Sequence, residues 1–366
     1  MQKIVMAVTN DTLTDRRLRK MAAALQEKGR NVLLLGRTSK SKIKPDSHIP
    51  LKRFSVLFDT GPFFYLGFNL RLFFYLLFKR RIDIIWANDL DTLPACALAS
   101  FFRRKPLVYD SHELFTEVPE LQNRPFVQKI WLWAERLFIK RAKIMITVCD
   151  SIADYYHHKY GFKPLIIRNL PEKLMNVSDC RKTLNLPADK KIVIYQGAVN
   201  LGRGIEELIA ATEFLSNVFL VIVGTGDMFE TIKKQIEATD YAQRILLTGR
   251  LAYDEMIKYT QSADLGVSLE KNMGLNYYYA LPNKLFDYIQ CEIPVLVSVL
   301  PEMKKVTEQY GVGELSYSHD PKIIAKCIEN ILQKPDDFYK EKLQTAAKVL
   351  NWELEKKKLD EVLSLL

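Results

Sequence analysis

Cysteine is scarce in this chain of 366 residues and never paired. Cys96, Cys149, Cys180, Cys291 and Cys327 are odd in number, scattered, and nowhere at the spacing of metal ligands or a redox couple. A reducing, cytosolic setting is the simplest reading. The opening MQKIVMAVTN has no charged, apolar and small-residue series of the kind that marks an export signal, so no export is expected. No short-period repeat and no low-complexity tract occurs. No glycine-rich turn follows the first strand-like segment, where Asn10, Asp11 and Thr12 stand instead, and that removes the dinucleotide fingerprint of an ordinary NAD-dependent domain.

What is present is ordinary globular material, 48% apolar and 26% charged, in a chain long enough for two cores. The net charge of +10 gathers in clusters of the first half: Arg16, Arg17, Arg19 and Lys20; Lys79 to Arg81; Arg103 to Lys105; Lys140, Arg141 and Lys143. Such clusters suit nucleic acid or an anionic membrane surface. The second closes GPFFYLGFNLRLFFYLLFKRR, Gly61 to Arg81, which is interrupted by Gly67, Asn69 and Arg71 and is short for a transmembrane span. It reads either as an interfacial helix or as a helix buried in a large core. Its aromatics form an apolar block, not a series dispersed among polar positions, so nucleic acid is not expected as a partner.

Short apolar strands alternate with amphipathic helices throughout, which predicts parallel sheets covered by helices. Strands are expected at 3–8, 31–35, 82–86, 107–109, 144–148 and 165–167, then at 191–195, 218–223, 245–247, 265–268, 295–298 and 313–315. The two sets read as two Rossmann-like domains in series: residues 1–170, a polar linker at 171–190, and 191–345. A Lys- and Glu-rich helical end at 346–366, with Trp352 as its large anchor, is expected to pack back on the first domain. Open parallel sheets bind ligands outside the carboxyl ends of their strands, so the residues following each strand are the candidates.

In the first half these are Asn10, Asp11, Asp15 and Arg16, then Asn88-Asp89-Leu90-Asp91, then Asp110-Ser111-His112-Glu113. Asp89 and Asp91 could hold a divalent metal, the other reading being that Asp91 and Thr92 cap the helix that starts at Leu93-Pro94. His112 could bond a substrate hydroxyl or assist charge separation, or belong to a capped helix start. In the second half a loop carries Gly197, Gly202 and Gly204 around Arg203, where backbone N–H groups and a guanidinium suit an anion. Gly224 and Gly226 follow another strand, and Arg250 and Leu251 lie where backbone groups could read a base. Leu281 to Gln290, LPNKLFDYIQ, starts a helix with Pro282 suited to the first turn. Lys284 and Asp287, three apart, are expected on one face and Leu285, Phe286 and Ile289 on the core side. That is the outline of a nucleotide-diphosphate pocket, the other reading being an exposed ion pair.

Taken together, TDRRLRKMAAALQEKG, DSHELF, ITVCDSIADYY, IIRNLP, GAVNLGRGIEELI, IVGTGD, LTGRLAYDEM, LPNKLFDYIQCEIPVLVS and NWE, in this order and spacing, resemble the GT-B glycosyltransferases of family 4 over nearly the whole chain. The resemblance implies an α/β fold of two Rossmann-like domains facing each other across an interdomain cleft. It also implies retaining sugar transfer from a nucleotide sugar, with no cofactor and no metal. Position by position, Arg203 becomes the basic residue of the second domain's first loop and Asp287 the carboxylate on the ribose. The family's first glutamate is replaced by Tyr279, and its basic residue after Gly197 by Ala198, so Lys284 would supply the second positive charge.

Arg203, Lys284 and His112 are the expected catalytic residues. Gly197, Gly202, Gly204, Gly224, Gly226, Arg250, Leu251, Tyr279, Pro282, Asn283 and Asp287 are expected at the donor. Asn10, Asp11, Asp15, Arg16, Asp89 and Glu113 are expected at the acceptor, with domain closure bringing His112 to the sugar. The acceptor would be a glycan or a lipid-linked molecule of cell-surface polysaccharide or glycolipid synthesis. The Phe63 to Arg81 segment would touch an anionic membrane from a cytoplasmic position on its inner face. A sugar-nucleotide epimerase on the same fold and a non-catalytic basic membrane- or nucleic-acid-binding protein are the competing readings.

Overall fold

The computed structural model describes residues 1–38, 49–174 and 178–366. The chain forms two compact units, Met1–Asn169 with Lys356–Leu366, and Leu170–Glu355. The first holds a seven-stranded sheet of β1 (Lys3–Ala7), β2 (Asn31–Arg37), β3 (Leu51–Phe54), β4 (Ile84–Asn88), β5 (Leu107–Ser111), β6 (Ile144–Thr147) and β7 (Leu165–Ile166). They lie in the order β3-β2-β1-β4-β5-β6-β7, all pairs parallel. The second holds β8 (Lys191–Gln196), β9 (Val218–Val223), β10 (Ile245–Gly249), β11 (Leu265–Ser268), β12 (Val295–Ser298) and β13 (Gly313–Ser316). Their order is β10-β9-β8-β11-β12-β13, again all parallel.

Strands that helices cover on both faces must be apolar on both, and IIWA in β4 and LVIV in β9 are buried throughout. The edge strand β3 was not foreseen. Its four residues, LKRF, bury only Phe54 and so give no apolar run to recognise. The chain passes to the second unit after Asn169 and returns at Lys356. Residues 171–174 and 178–190 of the expected linker belong to that second unit, Arg181 pairing with Asp264 at 2.7 Å, while residues 175–177 lie outside the described residues. The expected C-terminal segment of 346–366 is divided: Trp352 is buried in the second unit, where its N–H donates to the Pro171 carbonyl, and Lys356 onward joins the first. There Lys356 pairs with Glu27 and Asp360 with Lys28, each at 2.6 Å.

The helix Asn283–Gln290 is seated against β11, and Gly266 makes the approach feasible: a Cβ there would meet the Tyr288 ring at 2.3 Å. The Tyr288 hydroxyl accepts from the Gln196 N–H of β8, so this helix is tied to both central strands of the sheet.

Candidate active site

In both sheets the strand order reverses at one point, between β1 and β4 in the first unit and between β8 and β11 in the second. The carboxyl ends of strands at such a reversal form a crevice, the usual ligand position of an open parallel sheet. Each unit places an ionic cluster there.

In the second unit the cluster is built on Glu270, two residues beyond β11 and fully buried. Its Oε1 is 2.9 Å from Lys284 Nζ and 3.6 Å from Arg203 Nη1, and its Oε2 accepts from the Ser268 hydroxyl at 2.7 Å. The Lys284 ammonium also lies 3.9 Å from the centre of the Tyr195 ring, and the Arg203 guanidinium 4.7 Å from that of Tyr277. Both expected catalytic cations of this half therefore converge, on a carboxylate that the sequence motifs did not single out. Glu270 lies two residues past its strand in LGVSLE, so the rule of reading the residues after each strand would have found it.

Burial pushes the Lys284 ammonium down, and the neighbouring Arg203 adds to this. Glu270 works the other way, and the balance lies at about 8. Burial would raise the Glu270 carboxyl, but the two cations and the Ser268 hydroxyl outweigh it and hold it below its ordinary value. Two cations against one carboxylate leave one net positive charge when Lys284 is protonated. That excess can accept an anion.

Lys284 and Asp287 do not act on one open face. Asp287 turns to a second buried network, where its Oδ2 accepts from Gln196 Nε2 at 2.8 Å and its Oδ1 from the Tyr253 hydroxyl at 2.9 Å. Nor is the opposite side alone buried: every residue from Lys284 to Gln290 is, because the helix lies between the sheet and neighbouring helices. Pro282 stands one position ahead of its expected place in the first turn, at the N-cap with extended ψ, and Asn283 is exposed.

The expected glycines line the same loops. A Cβ on Gly224 would meet the Gly197 carbonyl oxygen at 1.8 Å, and one on Gly204 the Leu269 carbonyl oxygen at 2.2 Å, so at both points backbone passes where only glycine fits. Gly202 adjoins Met273, and Gly226 adjoins Val199 and Asn200. Arg250 is exposed and Leu251 half-buried beyond β10, and Tyr279 is half-buried with its ring 5.3 Å from that of Tyr278.

In the first unit the cluster is rich in carboxylates. His112 Nδ1 is 3.0 Å from Asp89 Oδ2, and its backbone N–H donates to Asp89 Oδ1 at 2.9 Å. Its Nε2 is 3.4 Å from Asp110 Oδ2, an ion-pair contact without hydrogen-bond alignment. Asp110, fully buried, also takes a forked contact from Arg17 at 2.8 and 3.3 Å. Burial lowers the imidazole, yet Asp89 and Asp110 overcome it and hold His112 up at about 10, a cation at neutral pH. Asp110 faces the same opposition of burial and cations, and Arg17 and His112 bring it to about 2. Asp89 adopts φ of 60°, in the left-handed region, to present its carboxylate here.

Across the strand reversal the Thr9 hydroxyl donates to Asp91 Oδ2, and burial followed by repulsion from Asp89 raises the Asp91 carboxyl to about 8. Asp89 and Asp91, read as a candidate metal pair, are thus engaged separately, and of the expected cap Thr92 stands at the N-cap of Leu93–Arg103 without a side-chain capping bond, its hydroxyl donating to the Asn88 carbonyl. Among the described residues no group of three or more His, Cys, Asp or Glu is arranged to hold a metal ion.

The other candidates for the acceptor divide. Asp11 is buried beside Arg53, with its Oδ2 lacking a hydrogen-bond partner, and Glu113 is half-buried next to His112. Asn10 and Arg16 are exposed. Asp15 caps the helix Arg16–Glu27, accepting from the Leu18 N–H at 2.9 Å, and so has a structural task. Arg17, in sequence one of a basic cluster, is buried, and its spacing with Met21, Ala24 and Leu25 on the apolar stripe is the signal that separates it from that cluster.

A family model described as glycosyltransferase family 4 matches residues 14–170, and one described as glycosyl transferases group 1 matches residues 177–349. Over 258 residues, 59% of this chain, the sequence is 25% identical to a chitobiosyldiphosphodolichol beta-mannosyltransferase of Candida glabrata. The match spans little more than half of that protein, 56% of its length. Among solved structures, the sucrose-phosphate synthase of Thermosynechococcus elongatus superposes with a TM-score of 0.77 at 18% identity, over 100% of this chain and 98% of the other. The Anabaena protein HepE, solved in complex with UDP and glucose, gives 0.78 at 18% identity over the whole of both chains.

Proposed function

Because the chain belongs to the GT-B glycosyltransferases of family 4 type, we propose that it moves a sugar from a nucleoside diphosphate donor, UDP- or GDP-linked, to a glycan or lipid-linked acceptor. The observation that carries this reading is the convergence of Arg203 and Lys284 on buried Glu270 at the strand reversal of the second unit. Cleavage of the sugar–phosphate bond leaves growing negative charge on the diphosphate. Two cations already fixed in a water-poor setting stabilise that charge without reorganising, and no metal is required for it.

Glu270 is a positioning residue in this scheme. It keeps a buried ammonium charged near neutral pH and holds the guanidinium beside it. The first unit's cluster is assigned to the acceptor, because sugar hydroxyls are donors and Asp89, Asp11 and Glu113 are acceptors. His112, fixed between Asp89 and Asp110, adds a positive charge to that cluster. A lipid-linked acceptor would be met at the inner face of a cytoplasmic membrane, with Phe63 to Arg81 as the contact. Retention of configuration is the expected course. The beta linkage named for the Candida glabrata relative favours the opposite course from an α-linked donor, and the anomeric coupling of the product decides between them.

A thermal-shift panel of UDP, GDP, dTDP and ADP tests the donor site, since a ligand bound to the native state raises apparent stability by mass action. One of the four is expected to protect the wild type, and Arg203→Ala or Lys284→Ala to remove most of that protection. Equal protection in those variants would remove the assigned phosphate site.

A further inference from the structure

About half of the exposed large apolar side chains among the described residues lie on three helices of the first unit, Gly61–Phe78, Leu93–Arg103 and Pro125–Phe138. The first is half-seated. Phe64, Phe68, Leu72 and Leu76, four apart, are buried, while Phe63, Leu66, Leu70, Phe74 and Phe78 form a second apolar stripe that is exposed. Although its sequence reads as short for a transmembrane span, the helix has the length and composition of a membrane-crossing one, but its buried stripe belongs to the unit's interior.

The exposed stripe does not stand alone. Phe74 adjoins Phe73, whose ring is 6.1 Å from that of Phe102 on the second helix, and Phe102 adjoins Phe101 at 5.5 Å. On the third helix Trp131 meets Tyr65 at 5.1 Å, and Phe126, Ile130, Trp133 and Leu137 form another exposed stripe at helical spacing. Arg103 donates to the carbonyls of Leu76 and Lys79, which ties the second helix to the end of the first. Phe63, Phe101 and Trp133 are each about two-thirds exposed, at 66%, 64% and 64%.

The exposed charge carried by the three helices and the residues directly past their C-terminal ends is basic. Among the described residues the three helices carry one acidic side chain, Glu135, and it is fully buried. Arg80, Arg81, Arg104, Lys129, Arg136 and Lys140, on the helices or just past their ends, are exposed. A second copy of the chain, paired face to face, would bring the same cations against these. Lipid phosphates would bring the opposite charge.

We propose that these three helices form one continuous surface that seats on an anionic bilayer, with the aromatic and aliphatic stripes in the headgroup–acyl boundary and the arginines and lysines against lipid phosphates. The proposal rests on the membrane contact read from Phe63 to Arg81 and widens it from one helix to three. The surface lies in, not across, the membrane.

Co-sedimentation of the full chain with phosphatidylcholine vesicles, with and without phosphatidylglycerol, tests this. Phe74→Glu, Phe101→Glu and Trp133→Glu each remove one exposed apolar group from a different helix. Each is expected to weaken binding to the anionic vesicles by about tenfold or more, with unfolding temperature and nucleotide protection unchanged. Arg80→Glu with Arg81→Glu should abolish the preference for anionic lipid. Weakening by Phe74→Glu alone would overturn the three-helix surface, and a wild type that does not sediment would overturn membrane docking altogether. A dimer in light scattering that all three variants dissolve, without vesicle binding, would assign the face to a second copy. Failure of the donor reading is seen separately, as absent nucleotide protection in the wild type.

Discussion

The two units present the same topological feature with different electrostatic character. At the strand reversal of the second, Lys284 and Arg203 share one carboxylate, Glu270; at that of the first, His112 and Arg17 stand among Asp89, Asp110 and the nearby Asp91. The parallel sheet decides where a ligand can sit. Charge and hydrogen-bonding character decide which ligand, a cation surplus suiting a departing diphosphate and a charge-balanced cluster rich in carboxyl oxygens suiting a molecule made of hydroxyl donors. Family membership is a property of both halves, but the division of labour between them is read from these few side chains.

The comparison can be broken most forcefully in the first unit. Arg17→Ala leaves buried Asp110 with His112 as its remaining cation, and losing one partner of a buried pair is expected to lower unfolding stability by about 3–5 kcal/mol. A denaturant melt at neutral pH checks this, and a shift within error would show that His112 alone suffices. Next in size is a pH effect in the second unit. Lys284 titrates at about 8 with Glu270 opposing burial, so nucleotide affinity should fall as pH rises through 8. Glu270→Gln should move that fall to lower pH, and an unmoved midpoint would sever Glu270 from Lys284.

The first unit should show its own pH dependence. His112 is raised from 6.5 to about 10 in the fold, so its contribution to stability is complete below pH 6.5 and is lost as pH rises towards 10. His112→Ala should flatten that part of the stability curve. Asp91, which the fold keeps protonated up to about 8 against 3.8 for an ordinary aspartate, should give a pH dependence at least as large as that of His112, and the smallest effect is the one read for its variant at pH 4. Between those values the unfolded chain releases a proton that the folded chain retains, so stability declines with pH. Asp91→Asn removes this decline while changing stability at pH 4 by no more than about 1 kcal/mol.

Much of this was legible in the sequence because buried parallel strands leave an unmistakable record. Twelve expected strands correspond to β1, β2 and β4 to β13, nearly all within a few residues of their observed ends, since runs such as VFLVIV can be little else. The edge strand β3 escaped because LKRF buries one residue, and a strand exposed on its outer side needs no apolar run. The site was half legible. Arg203 and Lys284 were found because they follow glycines and a proline that mark turns, whereas Glu270 follows a strand without any turn residue beside it. Arg17 was hidden by its neighbours: three other basic residues in DRRLRK suggested a surface, and only the helical period separates Arg17 from them. The helix Gly61–Phe78 could be read as interfacial or as buried, and its two apolar stripes show why, one packed inward and the other outward.

Calorimetric titration of the protecting nucleotide as its diphosphate and as its monophosphate, at pH 7, addresses the central claim most directly. If Arg203 and Lys284 grip the second phosphate, the wild type should bind the diphosphate about ten- to a hundredfold more tightly, as charge-assisted hydrogen bonds of about 1.5–3 kcal/mol would give, and Lys284→Ala should close most of that gap. A gap that persists undiminished in Lys284→Ala and in Arg203→Ala would mean that the diphosphate is held elsewhere.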